Sequence, residues 1–415
     1  MRRKFRMIED LNKKIVFSST FTIFLIVGAL IGIASFIYYA LGSHADLAWT
    51  AFHLNFIFWA GVSHGGVLFA AAMRITESSW GRPLMRIFES FGSFIPIVFI
   101  FIILMYFAGE YTLPYMTTKP VYVQKSLWLN EIFVFGRTFL FVGILHTLIY
   151  YYLYNSIRQD VAGTSCYKGF FSFLSKPLNE GENNFDSKLY KLSIAIAFIY
   201  ALSMSFIAFD FMMSLDSHFY STLFGVYYFM ASVLAALMLA VIISQMLTNK
   251  FNLHKIITEM QFYDCGKLMF GLSVFWLYTL YAQFLPIWYA NMPEETGYVG
   301  SRVFEQPYST FIWAFLTCTF VIPFVSLIPR TTKLVKPILA TIATISFLGL
   351  FLEKIWLIYP SIMHNHFHIG FEVILITFGF LCIFLLCVTK FLSYFPIFTT
   401  KDKYLIKKIE GGDGH

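Results

Sequence analysis

A chain of 415 residues that is 58% hydrophobic, 20% aromatic and only 13% charged, with a mean hydropathy of +0.69, is excluded from the water-soluble globular and disordered classes. The net charge of +7 comes with no basic stripe interleaved with aromatics outside the apolar runs, so composition offers no nucleic-acid partner. What remains is a polytopic membrane protein, and its apolar runs are too long and too continuous for the strands of an outer-membrane barrel.

Ten such runs are predicted, at about 15–41, 47–73, 87–109, 129–153, 189–212, 219–247, 267–290, 308–329, 335–358 and 371–396. A hydrocarbon core takes roughly 20 residues of helix, so the expected fold class is an all-α transmembrane bundle of about ten helices. The first run follows Arg2, Arg3, Lys4, Arg6, Lys13 and Lys14, which resemble a secretory leader. The run is too long for one and has no small-residue cleavage site, so it is read as a retained helix.

Helix two carries His53 and His64 eleven residues apart, which places both on one face about 16 Å apart. That spacing suits stacked haem ligands, but only His146 on helix four offers a facing partner, and the reading goes against haem b. Gly61, Gly65 and Gly66 around His64 suit close helix packing equally well. Glu89 and Glu110 bracket helix three, and helix four holds Glu131 and Arg137. Buried charges demand partners, and a Glu110–Arg137 contact between neighbouring antiparallel helices is one pairing that fits.

The connection at 154–188 contains Gly163, Pro177 and the polar run Asn179–Asn184, and reads as a cytoplasmic linker. It divides the chain into helices one to four, over 1–153, and helices five to ten, over 189–396, followed by a tail at 397–415. Packing of helices two to five and six to nine as two four-helix units, with helices one and ten outside, is compatible with this order.

Helices five and six meet at Asp210, Asp216 and His218. Ionisable groups bordering lipid are candidates for function by default, and carboxylates beside a histidine can pass protons when burial shifts them. Asp216 has a second reading as an N-cap for helix six. Helix seven begins with Asp264 and Lys267, lesser proton-path candidates together with Arg137. It ends with Tyr278, Tyr281, Gln283 and Trp288, which suit either a quinone ring slot or an interfacial aromatic belt. Glu294 and Glu295 beyond it read as docking groups.

Pro96, Pro286 and Pro323 fall inside spans and favour kinks. Glu353 and Lys354 are expected near the outer end of helix nine. His364, His366 and His368 alternate in the following loop, where the reading favours a solvated loop over a metal site. Cys166, Cys265, Cys318, Cys382 and Cys387 form no haem-attachment or cluster spacing.

Lysine and arginine gather in alternate connections: Arg74, Arg82 and Arg86; Arg158, Lys168, Lys176 and Lys188; Lys250, Lys255 and Lys267; Arg330, Lys333 and Lys336; and the tail. The positive-inside rule then puts both termini in the cytoplasm and the 214–220 turn on the outer face.

The segments Phe209–Gly225, Asp264–Phe270 and Phe284–Thr296, with Trp80–Glu89 after helix two, resemble the NrfD-like integral membrane subunits of bacterial alternative complex III, over nearly the whole chain. The resemblance implies a multi-pass subunit of a quinol:cytochrome c oxidoreductase in the bacterial inner membrane. It implies as partners a second NrfD-like subunit, multihaem cytochrome c and iron–sulfur subunits, the last two carrying haem c and the clusters. Quinol is then a ligand of the complex, with the other NrfD-like subunit the better candidate to hold it. This chain is expected to hold no redox centre and to conduct protons and brace the assembly, with Asp210, Asp216 and His218 as the outer proton group. The rival readings are a secondary transporter and a purely structural anchor.

Overall fold

The computed structural model describes residues 15–42, 44–117, 123–163, 169–177, 184–216, 218–363 and 369–406. Ten helices are long and apolar enough to cross a membrane: α1 (Ser19–Ala40), α2 (Ala45–Ile75), α3 (Arg82–Phe107), α4 (Glu131–Val161), α5 (Phe185–Leu215), α6 (Phe224–Phe251), α7 (Glu259–Ala290), α8 (Tyr308–Leu327), α9 (Lys336–Met363) and α10 (Phe371–Tyr394). No strand occurs among the described residues. The chain is a multi-pass membrane protein. In lipid every backbone polar group must be satisfied within its own segment, which is why the spans are helical. Because ten spans alternate in direction, Ile15 and Ile406 lie on the same side, called here the terminal face.

Neighbour relations divide the spans into two rings of four. The first is α2–α3–α4–α5 and the second is α6–α7–α8–α9, with α6 packed on both α2 and α5, and α9 reaching α2. Helix α1 lies mainly against α10, and α10 leans on α2 and α3. Helix α5 therefore packs with the four-helix unit that precedes it in sequence, and the 154–188 connection falls within that unit. Its helical borders also differ from those expected, since α4 continues to Val161 before α5 starts at Phe185.

Small residues set the close approaches. A Cβ on Gly32 would stand 2.3 Å from the Cα of Gly379, so the α1–α10 crossing is backbone against backbone. A Cβ on Gly65 would come within 2.7 Å of the Ser232 carbonyl oxygen, which fixes α2 against α6. Tyr228 reinforces that contact by donating its hydroxyl to the Ile57 carbonyl at 2.8 Å.

Pro96 and Pro323 are each met by a change of helix type. The stretch before Pro96 tightens into a 3₁₀ turn at Phe91–Phe94, and the stretch before Pro323 widens into a π turn at Thr317–Val321. Both re-route backbone bonds around a residue that has no N–H to give.

Gly379→Leu is expected to lower the thermal midpoint of the detergent-purified protein, because forcing a side chain into the α1–α10 contact costs about 1–3 kcal/mol. Gly136→Leu, on an α4 position with nothing within 4 Å, is expected to leave that midpoint unchanged.

Candidate functional site: a buried polar ladder in the first four-helix unit

Helix α2 is enclosed on all sides, and this determines what its polar residues can do. Thr50, His53, Asn55, Ser63, His64 and Arg74 are each 5% exposed or less, so each needs a partner inside the protein. Thr50, Asn55 and Ser63 donate to carbonyls of α2 itself, and Asn55 also to Thr377 of α10, whereas His53, His64 and Arg74 find partners on α3, α4, α5 and the C-terminal segment, in three clusters at successive depths.

Near the face opposite the termini, Arg137 of α4 grips Asp210 of α5. The Arg137 Nε donates to Asp210 Oδ2 at 2.8 Å, and one Nη donates to Oδ1, giving a two-pronged pair. The other Nη donates to the Trp128 carbonyl at 3.0 Å, and the guanidinium lies 3.9 Å from the centre of the Trp128 ring. Tyr115 donates to the Asp210 carbonyl at 3.3 Å. Beside this group, His53 contacts the Phe211 carbonyl through Nε2 at 2.7 Å, which assigns the proton to Nε2 because a carbonyl can only accept.

At mid-depth, His64 of α2 meets His146 of α4. Their Nε2 atoms are 2.9 Å apart and the rings are stacked at 5.0 Å. His64 Nδ1 lies 2.7 Å from the Ala60 carbonyl, so this nitrogen carries a proton. In the neutral pair His64 Nε2 then accepts from His146 Nε2, which leaves His146 Nδ1 as the bare acceptor. A second proton would make the pair a cation with the charge shared across the contact.

At the terminal face, Arg74, Arg82 and Arg86 meet Glu89, Asp160 and Asp402, all six of them 6% exposed or less. Arg86 bonds Glu89 at 2.6 Å and Asp160 at 2.5 Å, and Arg82 bonds Asp402 at 3.0 Å. Arg74 lies 3.7 Å from Glu89 and 3.5 Å from Asp402. Three cations thus face three anions, and Tyr152 and Ser156 add hydroxyl donors to Glu89 at 3.2 and 2.6 Å. The C-terminal segment closes the cluster from below, where the Lys401 N–H and the Thr400 hydroxyl both donate to Asp160.

The residues singled out in the sequence divide accordingly. Asp210 and Arg137 are joined at the core of the ladder, and the expected Glu110–Arg137 contact gives way to that pair because Glu110 sits exposed on the short helix Gly109–Thr112. Asp216 accepts from the backbone N–H groups of His218 and Phe219 at 2.9 and 3.2 Å. It closes a loop turn and does not cap α6, which starts only at Phe224. His218 is exposed, and Lys125 donates to the Asp216 and Phe219 carbonyls. Burial lowers the Lys125 pKa, and the nearby Asp216 works in the opposite direction.

Asp264 and Lys267 form a surface pair at 2.6 Å, with Lys267 52% exposed, at the terminal-face end of α7 and away from the ladder. Tyr281 and Gln283 line a cavity in the second unit, whereas Tyr278 and Trp288, 61% and 64% exposed, point outward. Glu294 and Glu295 begin the helix Pro293–Val303; Glu295 is partly buried, and the Glu294 side chain lies outside the described residues, as do His364, His366 and His368. Glu353 and Lys354 lie well inside α9, buried and paired at 2.8 Å, with the Trp276 indole donating to Glu353 at 3.1 Å.

The terminal-face cluster is what the sequence reading missed. Arg74, Arg82 and Arg86 count there as loop charges, although Glu89 three residues after Arg86 offers a partner at helical spacing. Scans of protein-family models give no match to the chain, and no curated protein matches it.

Removing one partner of the buried Arg137–Asp210 pair is expected to cost about 3–5 kcal/mol, because it leaves an uncompensated charge. Arg137→Met and Asp210→Leu should each lower the thermal midpoint more than the double variant does, which a double-mutant cycle in one detergent would measure.

Proposed function

We propose that this chain is a proton-conducting, non-redox membrane subunit of a bacterial inner-membrane quinol:cytochrome c oxidoreductase, and that its first four-helix unit is the conducting element. The single observation that carries the proton reading is the direct His64–His146 contact at mid-depth, since imidazole is the side chain whose ordinary pKa lets it gain and lose protons near neutrality. Among the described residues neither ring meets a carboxylate, so nothing holds a proton there permanently.

The ladder supplies stations on both sides of that pair. Arg137, His146 and Tyr152 lie along α4 at intervals of about 14 and 9 Å by helical rise, gaps that a few ordered waters span. A proton reaching His146 Nδ1 makes a shared cation; passing the bridging proton to His64 Nε2 and releasing the His64 Nδ1 proton leaves both rings in the other tautomer, and ring reorientation restores the starting pair. At the two ends the charges are balanced by their partners, so a moving proton meets no large net field.

The resemblance in the Phe209–Gly225 and Phe284–Thr296 segments is the ground for the quinol complex, its haem c and iron–sulfur partners, the second NrfD-like subunit and the inner-membrane location, and the distribution of lysine and arginine is the ground for cytoplasmic termini. Under this reading Glu294 and Glu295 are docking groups for those partners, and electrons pass outside this chain.

In membranes containing the assembled complex, His64→Phe and His146→Phe are expected to lower quinol-driven proton movement by ~10-fold or more. Subunit content, haem c and iron copurifying with the chain should stay unchanged. Full proton movement at normal assembly in both variants would overturn the conducting role, and failure of haem c and iron to copurify with the wild-type chain would overturn the complex.

A further inference from the structure

The second four-helix unit contains a wedge that the proton ladder does not use. Near the terminal face α7 packs on Ile322–Leu327 of α8 and on Arg330–Leu334, with Gly266 allowing close approach to Lys333. Toward the opposite face the two helices part, and Tyr308–Leu316 packs instead on α9. The π turn at Thr317–Val321 in α8 marks where the paths diverge. The helix Pro293–Val303 roofs the gap, touching α7, α8 and α9.

The wedge encloses a cavity of about 440 Å³. That lies within the range of about 300–1,000 Å³ typical of small-ligand pockets. Leu277, Leu280 and Phe284 of α7 form one wall and Ile312 and Leu316 of α8 the other. At its mouth are Tyr281 and Trp313, 56% and 70% exposed on membrane-spanning helices, so the entrance faces the bilayer side. The wall is almost entirely carbon, and water finds too few partners in such a space to be held there.

Polar groups reach this lining from Tyr227, Tyr281, Gln283 and Tyr298, and Tyr298 brings its hydroxyl from the roof. Tyr298 of the roof helix is 7% exposed, and its hydroxyl is buried with no hydrogen-bond partner. Its ring is fixed between Phe219, stacked at 3.7 Å, and the Arg302 guanidinium at 3.6 Å. Burial raises the phenol pKa, against the pull of Arg302, so the group stays a neutral donor. A buried hydroxyl costs free energy unless an acceptor meets it.

We infer that this wedge is a binding site for a membrane amphiphile, whose single hydrocarbon chain enters between α7 and α8 and whose carbonyl or ester oxygen accepts from Tyr298. A phospholipid acyl ester and a prenyl quinone share that chemistry. The inference rests only on the chain being a membrane protein and does not depend on the proton reading.

The test uses the full chain in lipid nanodiscs containing a phosphatidylcholine with a diazirine at the end of one acyl chain, in parallel with a prenyl quinone bearing the same group. Illumination and peptide mapping should place label on residues 277–287 and 312–316 for at least one of the two probes, and the probe that labels identifies the source. Leu280→Trp and Val303→Trp, which fill the cavity from two different helices, should each reduce that labelling at least ~5-fold, the loss expected for excluding one or two methylene groups. Labelling of lipid-facing α1 should be unchanged in both, showing that the variants are folded and embedded. Tyr298→Phe should weaken retention of the probe without filling the space. Absence of label on those peptides with either probe, or equal labelling in wild type and both filled variants, would overturn the proposal.

Discussion

The cost of placing an ionised group in a bundle surrounded by hydrocarbon governs this structure. An unpaired charge at that depth is expensive enough that each one must meet its opposite or a set of carbonyls. Arg137 meets Asp210, Lys354 meets Glu353, and three arginines meet three carboxylates under the first unit. Arg302 follows the same rule by another route: it donates to the Tyr298 and Leu357 carbonyls and to Ser361 near the C-terminal, electronegative end of α9. These requirements tie α2 to α4, α4 to α5 and the C-terminal segment to α3 and α4 more specifically than apolar packing does, since lipid competes with apolar side chains on equal terms.

Against that background the His64–His146 pair stands apart. It is buried as deeply as the ion pairs, yet its members are held by one backbone carbonyl and by each other. A pair bound to a carboxylate is committed to one protonation state, whereas two imidazoles in contact can exist as a neutral donor–acceptor couple or share one added proton. The two units thus differ in character. The first buries titratable groups at three depths, while the second, among the described residues, buries the Glu353–Lys354 pair and devotes its opposite-face half to an apolar wedge roofed by an aromatic and arginine clasp.

How much of this could be read beforehand varies residue by residue. Asp210 and Arg137 were both visible as costly charges in apolar runs, but 73 positions separate them, and the pairing of Arg137 with Glu110 was equally plausible by span order. Asp216 shows the opposite case: its Asx geometry was legible, yet the helix it was expected to cap begins five residues beyond Phe219 because the intervening turn is held by Lys125. Tyr278, Tyr281, Gln283 and Trp288 formed one aromatic stretch in the sequence. Only Tyr281 and Gln283 reach the wedge lining, a division that spacing alone does not give, since Tyr281 and Trp288 stand two turns apart on one face.

By itself the sequence determined the number of spans, their helical character and most of their borders to within a few residues, the end of α4 and the start of α7 excepted, because a hydrocarbon core demands about 20 apolar residues with internally satisfied backbone. It also determined which residues are too polar to be left without partners. Only the tertiary structure decided who those partners are. A helix that is apolar around its whole circumference carries no face signal, so its rotation about its own axis is set by the neighbours it meets. That rotation brings His64 to His146, brings Asp402 from the far end of the chain beneath Arg74 and Arg82, and opens the gap between α7 and α8 under Tyr298.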